Sequence, residues 1–150
     1  MAIQRVGHIV IKMRDLEAAK GFYRDILGMK IATESERGVF FRFDEYHHDI
    51  AVFKVSENAE LPKADQVGLA HMALVIDSFD SLVRMYRRLK EHGVDVDHTT
   101  DHAFTKSIYC RDPEGNMVEI YCEVPEDDYH ADGMGRMTPL DLDTPAAALA

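Results

Sequence analysis

The stretch Ser107-Ile108-Tyr109-Cys110-Arg111-Asp112-Pro113-Glu114-Gly115-Asn116-Met117-Val118-Glu119-Ile120-Tyr121 decides the fold. Its middle five residues, Asp112 to Asn116, are turn-formers. Proline presets one backbone angle, glycine accepts a positive φ at no steric cost, and Asp and Asn bond back to their own backbone. The flanking runs are rich in β-branched and aromatic residues and read as two strands of a hairpin. With those five residues as the loop, Arg111 faces Met117, Cys110 faces Val118 and Tyr109 faces Glu119. Directly opposed side chains share a face and lie about 5 Å apart at Cβ. A carboxylate and a phenol are therefore held side by side on rigid strands.

Working outward, the chain reads as one plan used twice. Val6 to Lys12 is a strand. Asp15 is a helix N-cap, Ala18, Ala19, Phe22, Tyr23, Ile26 and Leu27 recur at helical spacing, and Gly28 closes the helix. Strand candidates follow at residues 30–33, 38–43 and 49–55. After a polar connector, residues 56–67 with Pro62 in it, the pattern restarts. Gly68 to Ile76 is a strand, and Asp77-Ser78 caps a helix with Phe79, Leu82, Val83, Tyr86 and Leu89 on one face. His92-Gly93 ends that helix, Val94 to Val96 is a short strand, and a His-rich loop leads into the hairpin. His8 and His71 occupy matching places in the two first strands, and Tyr23 and Tyr86 each lie fifteen residues later. Each half is a βαβββ module of roughly 55 residues, and such repetition makes two units that complete each other's core. The expected fold class is α+β. One domain covers residues 1–123, with modules at about 5–55 and 68–123, and an acidic extension covers 124–150.

Composition narrows the function. The net charge of −10 excludes nucleic acid and anionic membrane surfaces as partners, because both require a basic face. Residues 124–150 carry six acidic residues and one arginine. No apolar run is long enough to cross a bilayer, and the N-terminus shows no signal-peptide pattern, so a soluble cytoplasmic protein is expected. Cys110 and Cys122 fall in strands on the face opposite Tyr109 and Glu119. They read as buried structural thiols rather than a disulfide framework.

Eight histidines stand in this acidic chain. His92, His98 and His130 read as surface residues. His8 and His71 each interrupt an apolar strand, and Glu119 stands among apolar neighbours in a third. A buried carboxylate without a partner is costly. Two imidazoles and one carboxylate around a divalent metal relieve that cost together. The same trio leaves open metal positions of the kind non-haem Fe(II) oxygenases use. His8, His71 and Glu119 are the candidate metal ligands.

These residues carry a family resemblance. Gly7-His8, Ala70-His71 and the run from Tyr109 through Asp112-Pro113-Glu114-Gly115-Asn116 to Glu119 resemble the vicinal oxygen chelate superfamily over about residues 5–123. That superfamily includes glyoxalase I, fosfomycin-resistance transferases, bleomycin-resistance proteins and type I extradiol dioxygenases. The resemblance implies an open, barrel-like sheet with a metal inside, and a homodimer. Glyoxalase I has an acidic ligand in the last strand of its first half, where Ile50-Ala51-Val52-Phe53-Lys54 has none and Phe53 stands near the place. Fosfomycin transferases share the His, His, Glu and Tyr, but have a threonine where Val10 stands and an arginine where this chain turns acidic. Bleomycin-binding proteins lack the metal triad.

Single-domain extradiol dioxygenases resemble the chain most. They share Tyr109, ten residues before the glutamate, and the His48-Asp49-Ile50-Ala51-Val52-Phe53 context. A further histidine before the Tyr strand matches His102, with His98 as the alternative. The resemblance implies Fe(II), with Mn(II) as the alternative, and an aromatic diol cleaved with O2. His48 is then the base, Tyr109 a hydrogen-bond donor to substrate oxygen, and His102 a support for the substrate hydroxylate. Two alternatives stand beside it: another metal-dependent lyase, isomerase or transferase of the same fold, and a non-catalytic small-molecule binding protein. The tail, with Tyr129, His130, Met134 and Met137, is left open: over the pocket mouth, across a subunit boundary, or free.

Overall fold

The computed structural model describes residues 2–63, 65–126 and 137–144. The chain forms two compact units, Met1–Pro62 and Lys63–Ala150. In the first unit the order is β1 (Ile9–Met13), α1 (Leu16–Ala19), β2 (Lys30–Ser35), β3 (Gly38–Arg42) and β4 (Ile50–Lys54). In the second it is β5 (Met72–Val75), α2 (Phe79–Glu91), β6 (Val96–Asp101), β7 (Thr105–Arg111), β8 (Met117–Glu123) and β9 (Thr138–Pro139). Each unit has a mixed, open sheet, ordered β1-β4-β3-β2 and β5-β8-β7-β6-β9. In both, the first strand lies parallel to the last main strand and the remaining pairs are antiparallel. The expected βαβββ repeat is therefore the architecture. Among the described residues no helix is long and apolar enough to cross a membrane.

Each sheet buries the face that meets its helix. In the first unit Met13, Val39, Phe41 and Ile50 are buried, as are Ala19, Phe22 and Tyr23 of the helical segment. Asp15 caps that segment by accepting from the backbone N–H of Glu17 and Ala18. Only Leu16–Ala19 is α-helical; Lys20–Ile26 winds wider, as a π-helix. The apolar pairs Ala18-Ala19, Phe22-Tyr23 and Ile26-Leu27 repeat every four residues. That period exceeds the α-helical 3.6, and the wider winding takes up the difference. In the second unit Ser78 caps α2, and Leu82, Val83, Tyr86 and Leu89 are buried. Cys110 and Cys122 are buried free thiols, and burial pushes Cys110 up to about 12.

The hairpin has the expected register, with Tyr109 opposite Glu119, Cys110 opposite Val118 and Arg111 opposite Met117. Its loop is closed by Asp112, whose Oδ1 accepts from the N–H of Glu114 and of Asn116, while Gly115 takes a φ of 82°.

Several expectations are corrected. β1 begins at Ile9 and β5 at Met72, so His8 and His71 precede their strands by one residue instead of interrupting them. Pairing starts only where the partner strand does, at Ile9 with Ile50 and at Met72 with Val118. The expected short strand ending at Val96 is instead β6, which runs to Asp101 and takes His98 out of the loop. Part of the extension belongs to the sheet. Thr138 and Pro139 pair with Asp101 and Thr100, Leu142 is buried, and Tyr86 donates to Asp143. Tyr129, His130 and Met134 lie outside the described residues.

Candidate functional site

One face of the second sheet holds a dense polar group. Alternation along β7 puts Ser107 and Tyr109 on one face, and the hairpin register brings Glu119 of β8 onto the same face. Glu119 is buried, and each of its carboxylate oxygens has a partner. Ser107 Oγ donates to Oε1 at 2.7 Å and the Tyr109 hydroxyl donates to Oε1 at 2.8 Å. Oε2 lies 3.1 Å from His71 Nε2.

Tyr109 is the hub of the group. His102 Nε2 lies 3.1 Å from its hydroxyl. The His98 ring stacks on its ring at 4.3 Å with an interplanar angle of 12°, and His71 stands edge-on at 5.6 Å. Burial, then the hydrogen bond to Glu119, pushes the phenol up to about 12. Tyr109 is therefore a protonated donor throughout the physiological range. Asp97 accepts from His98 Nδ1 and from Arg111, and those two bonds hold its carboxyl below the usual carboxylate range. His102 sits in the β6–β7 turn beside Ala103, whose φ of 71° is left-handed.

The first unit gathers His8 and His48, with ring centroids 4.4 Å apart. His47 is the neighbour that sequence reasoning passed over: its Nδ1 lies 2.7 Å from His48 Nδ1. Burial, then the proximity of His8 and His47, lowers the pKa of His48. The internal register also corrects one counterpart. Phe40 opposite Ala51 matches Tyr109 opposite Glu119, so Ala51 rather than Phe53 stands where the second unit has its acid. Neither residue is acidic, and the first unit has no equivalent of Glu119.

Of the sequence-predicted residues, His71, Glu119, Tyr109 and His102 come together within the second unit, and His8 meets His48 within the first. Within either unit, among the described residues, no three His, Cys, Asp or Glu side chains converge to hold a metal alone. The second unit offers two donors that fit one. Metal bonds of 2.0–2.2 Å at right angles leave their donor atoms about 3 Å apart. His71 Nε2 and Glu119 Oε2 have that separation, and Oε1 is already satisfied by hydroxyls. Ser107 was missed by sequence reasoning; the signal was its parity with Tyr109, two residues away on the same strand.

Residues 5–120 match the Glyoxalase/Bleomycin resistance protein/Dioxygenase superfamily, and the chain belongs to that superfamily. Biphenyl-2,3-diol 1,2-dioxygenase 3 of Rhodococcus globerulus is 35% identical over 118 residues, which cover 77% of this chain and 62% of that enzyme. The chain thus spans less than two thirds of that relative's length. Metallothiol transferase FosB of Staphylococcus saprophyticus is 27% identical over 133 residues, covering 85% of this chain and 84% of that one. Among solved structures, a glyoxylase/bleomycin resistance protein/dioxygenase domain from Frankia sp. EAN1pec superposes with a TM-score of 0.68 at 20% identity. The match covers 82% of this chain and all of that one, and it shows the shared fold.

Proposed function

We propose that the protein is an extradiol dioxygenase that opens a catechol-type ring beside its two hydroxyls, using O2. The observation that carries this reading is the carboxylate of Glu119, one oxygen clamped by hydroxyls and the other facing His71, beside a phenol that keeps its proton. His71 and Glu119, joined by His8 as the counterpart of His71, would hold Fe(II) or, alternatively, Mn(II). A bound divalent ion would acidify a ligated phenol and provide open positions for diol and O2.

The chain's own groups then divide the proton work. His48 takes a proton from the diol, because the surroundings that lower its pKa keep its imidazole neutral. Tyr109 donates a hydrogen bond to a substrate oxygen. His102 Nε2 engages the Tyr109 oxygen, so it orients that donor. Val10 and the acid-free β4 argue against the transferase and glyoxalase alternatives. A homodimer belongs to the same proposal, and light scattering after gel filtration tests it.

A second reading has a specific support. Metallothiol transferases also stand among the relatives, FosB of Staphylococcus saprophyticus at 27% identity over 133 residues. One experiment separates the two. The protein is loaded with Fe(II) without air, then given catechol or 2,3-dihydroxybiphenyl and air; a parallel Mn(II)-loaded sample receives fosfomycin and a thiol. A yellow ring-opened product with O2 uptake supports the dioxygenase. Thiol consumption with no O2 uptake on any diol favours the transferase and sinks the first reading.

A further inference from the structure

The two oxygens of Glu119 keep different company. Oε1 accepts from Ser107 and Tyr109, while among the described residues Oε2 has only His71 Nε2 within ion-pair distance. A carboxylate presents about four lone-pair sites over its two oxygens, so two donors fill one oxygen. Ser107 is fully buried and packed on a rigid strand, so its hydroxyl stays aimed at Oε1. Tyr109 has a single proton, and when that proton turns toward a substrate oxygen, Oε1 still keeps Ser107.

We propose that Ser107 is a positioning residue of the metal centre. Its hydroxyl holds Oε1 so that Glu119 meets a divalent cation through Oε2 alone, and it releases the Tyr109 proton for substrate. The inference rests on the metal reading above.

The test is an equilibrium Mn(II) titration of wild type, Ser107→Ala and Ser107→Thr, read by the electron paramagnetic resonance of free Mn(II). X-ray absorption of the loaded proteins and thermal midpoints of the metal-free ones accompany it. Ser107→Ala weakens Mn(II) binding about 10–100-fold, the range for losing a group that supports a ligand. The mean number of oxygen ligands rises by about one as the freed carboxylate turns both oxygens to the metal. Ser107→Thr keeps the hydroxyl and stays within about threefold of wild type. Unchanged affinity and coordination in folded Ser107→Ala, even with a lower thermal midpoint, overturns the proposal and leaves the residue a packing group. If Ser107→Ala does not fold, Ser107→Cys, whose S–H is only a weak donor, takes its place and shifts affinity and coordination in the same direction. No shift there overturns the proposal as well. Failure of wild type to bind Mn(II) overturns the metal reading itself, an outcome distinct from wild-type binding with an indifferent variant.

Discussion

The two units place the same backbone lattice under opposite chemistry. Register pairs Gly38 with Phe53 and Phe40 with Ala51 in the first, Ser107 with Tyr121 and Tyr109 with Glu119 in the second. Val10 and Ala73 are the matching neighbours on the first strands. Going from one unit to the other, glycine becomes serine, phenylalanine becomes tyrosine and alanine becomes glutamate. Two hydroxyls and one carboxylate convert an apolar face into a hydrogen-bonded polar one. The backbone supplies addresses in both units, and three side chains decide which unit carries the clamped carboxylate. A buried carboxylate is tolerable only with its donors present, so Glu119 requires Ser107 and Tyr109 in a way that Ala51 requires nothing.

Changing Glu119 to Ala makes the second unit like the first at its most different position. Under the proposed function the expected result is the loss of at least about 100-fold in divalent-metal affinity, with turnover lost too. Calorimetric titration with Mn(II) reads it, and metal retained at wild-type affinity would show that Glu119 is not a ligand.

The reverse change probes the apolar side. A Cβ on Gly38 would lie 2.6 Å from the Val52 carbonyl oxygen and 3.0 Å from the Phe53 ring. Backbone cannot step aside cheaply, so Gly38→Ala costs about 1–3 kcal/mol by overpacking. A urea melt measures this, and a midpoint equal to wild type would mean that β3 and β4 separate more easily than the geometry implies.

The smallest expected effect is a pH dependence. Tyr109 ionises near 10 when unfolded and is pushed up to about 12 in the fold. A raised folded value means its contribution to stability is complete below about pH 10 and is lost as pH climbs toward 12. Tyr109→Phe flattens part of that alkaline decline; Cys110, also pushed up to about 12, keeps some of it in both proteins. Identical slopes for the two proteins, followed by circular dichroism, would rule out the phenol as a contributor.

Much of this asymmetry was legible in the sequence. The Asp-Pro-Glu-Gly-Asn turn has one natural register, and that register alone put Tyr109 beside Glu119. The twofold plan was visible in His8 and His71 and in the two capped helices. Strand β6 was hidden because Val96 to Asp101 is mostly polar, its partners β7 and β9 supplying what composition did not suggest. A two-residue strand such as β9 leaves no period to detect. Ser107 and His47 were missed because a hydrogen bond depends on rotamers as well as on parity, and a serine in a strand has no distinctive pattern. The place of His102 followed from a tight turn with a left-handed alanine, which no spacing rule anticipates.

The superfamily match ends at residue 120, yet the sheet does not. β9 covers the outer edge of β6, Leu142 fills the core and Asp143 receives the Tyr86 hydroxyl. A chain trimmed at the family boundary would leave the backbone donors and acceptors of β6 without cover, an invitation to self-association through an open strand. For anyone expressing this protein, the short segment after residue 136 belongs in the clone as a sheath against aggregation.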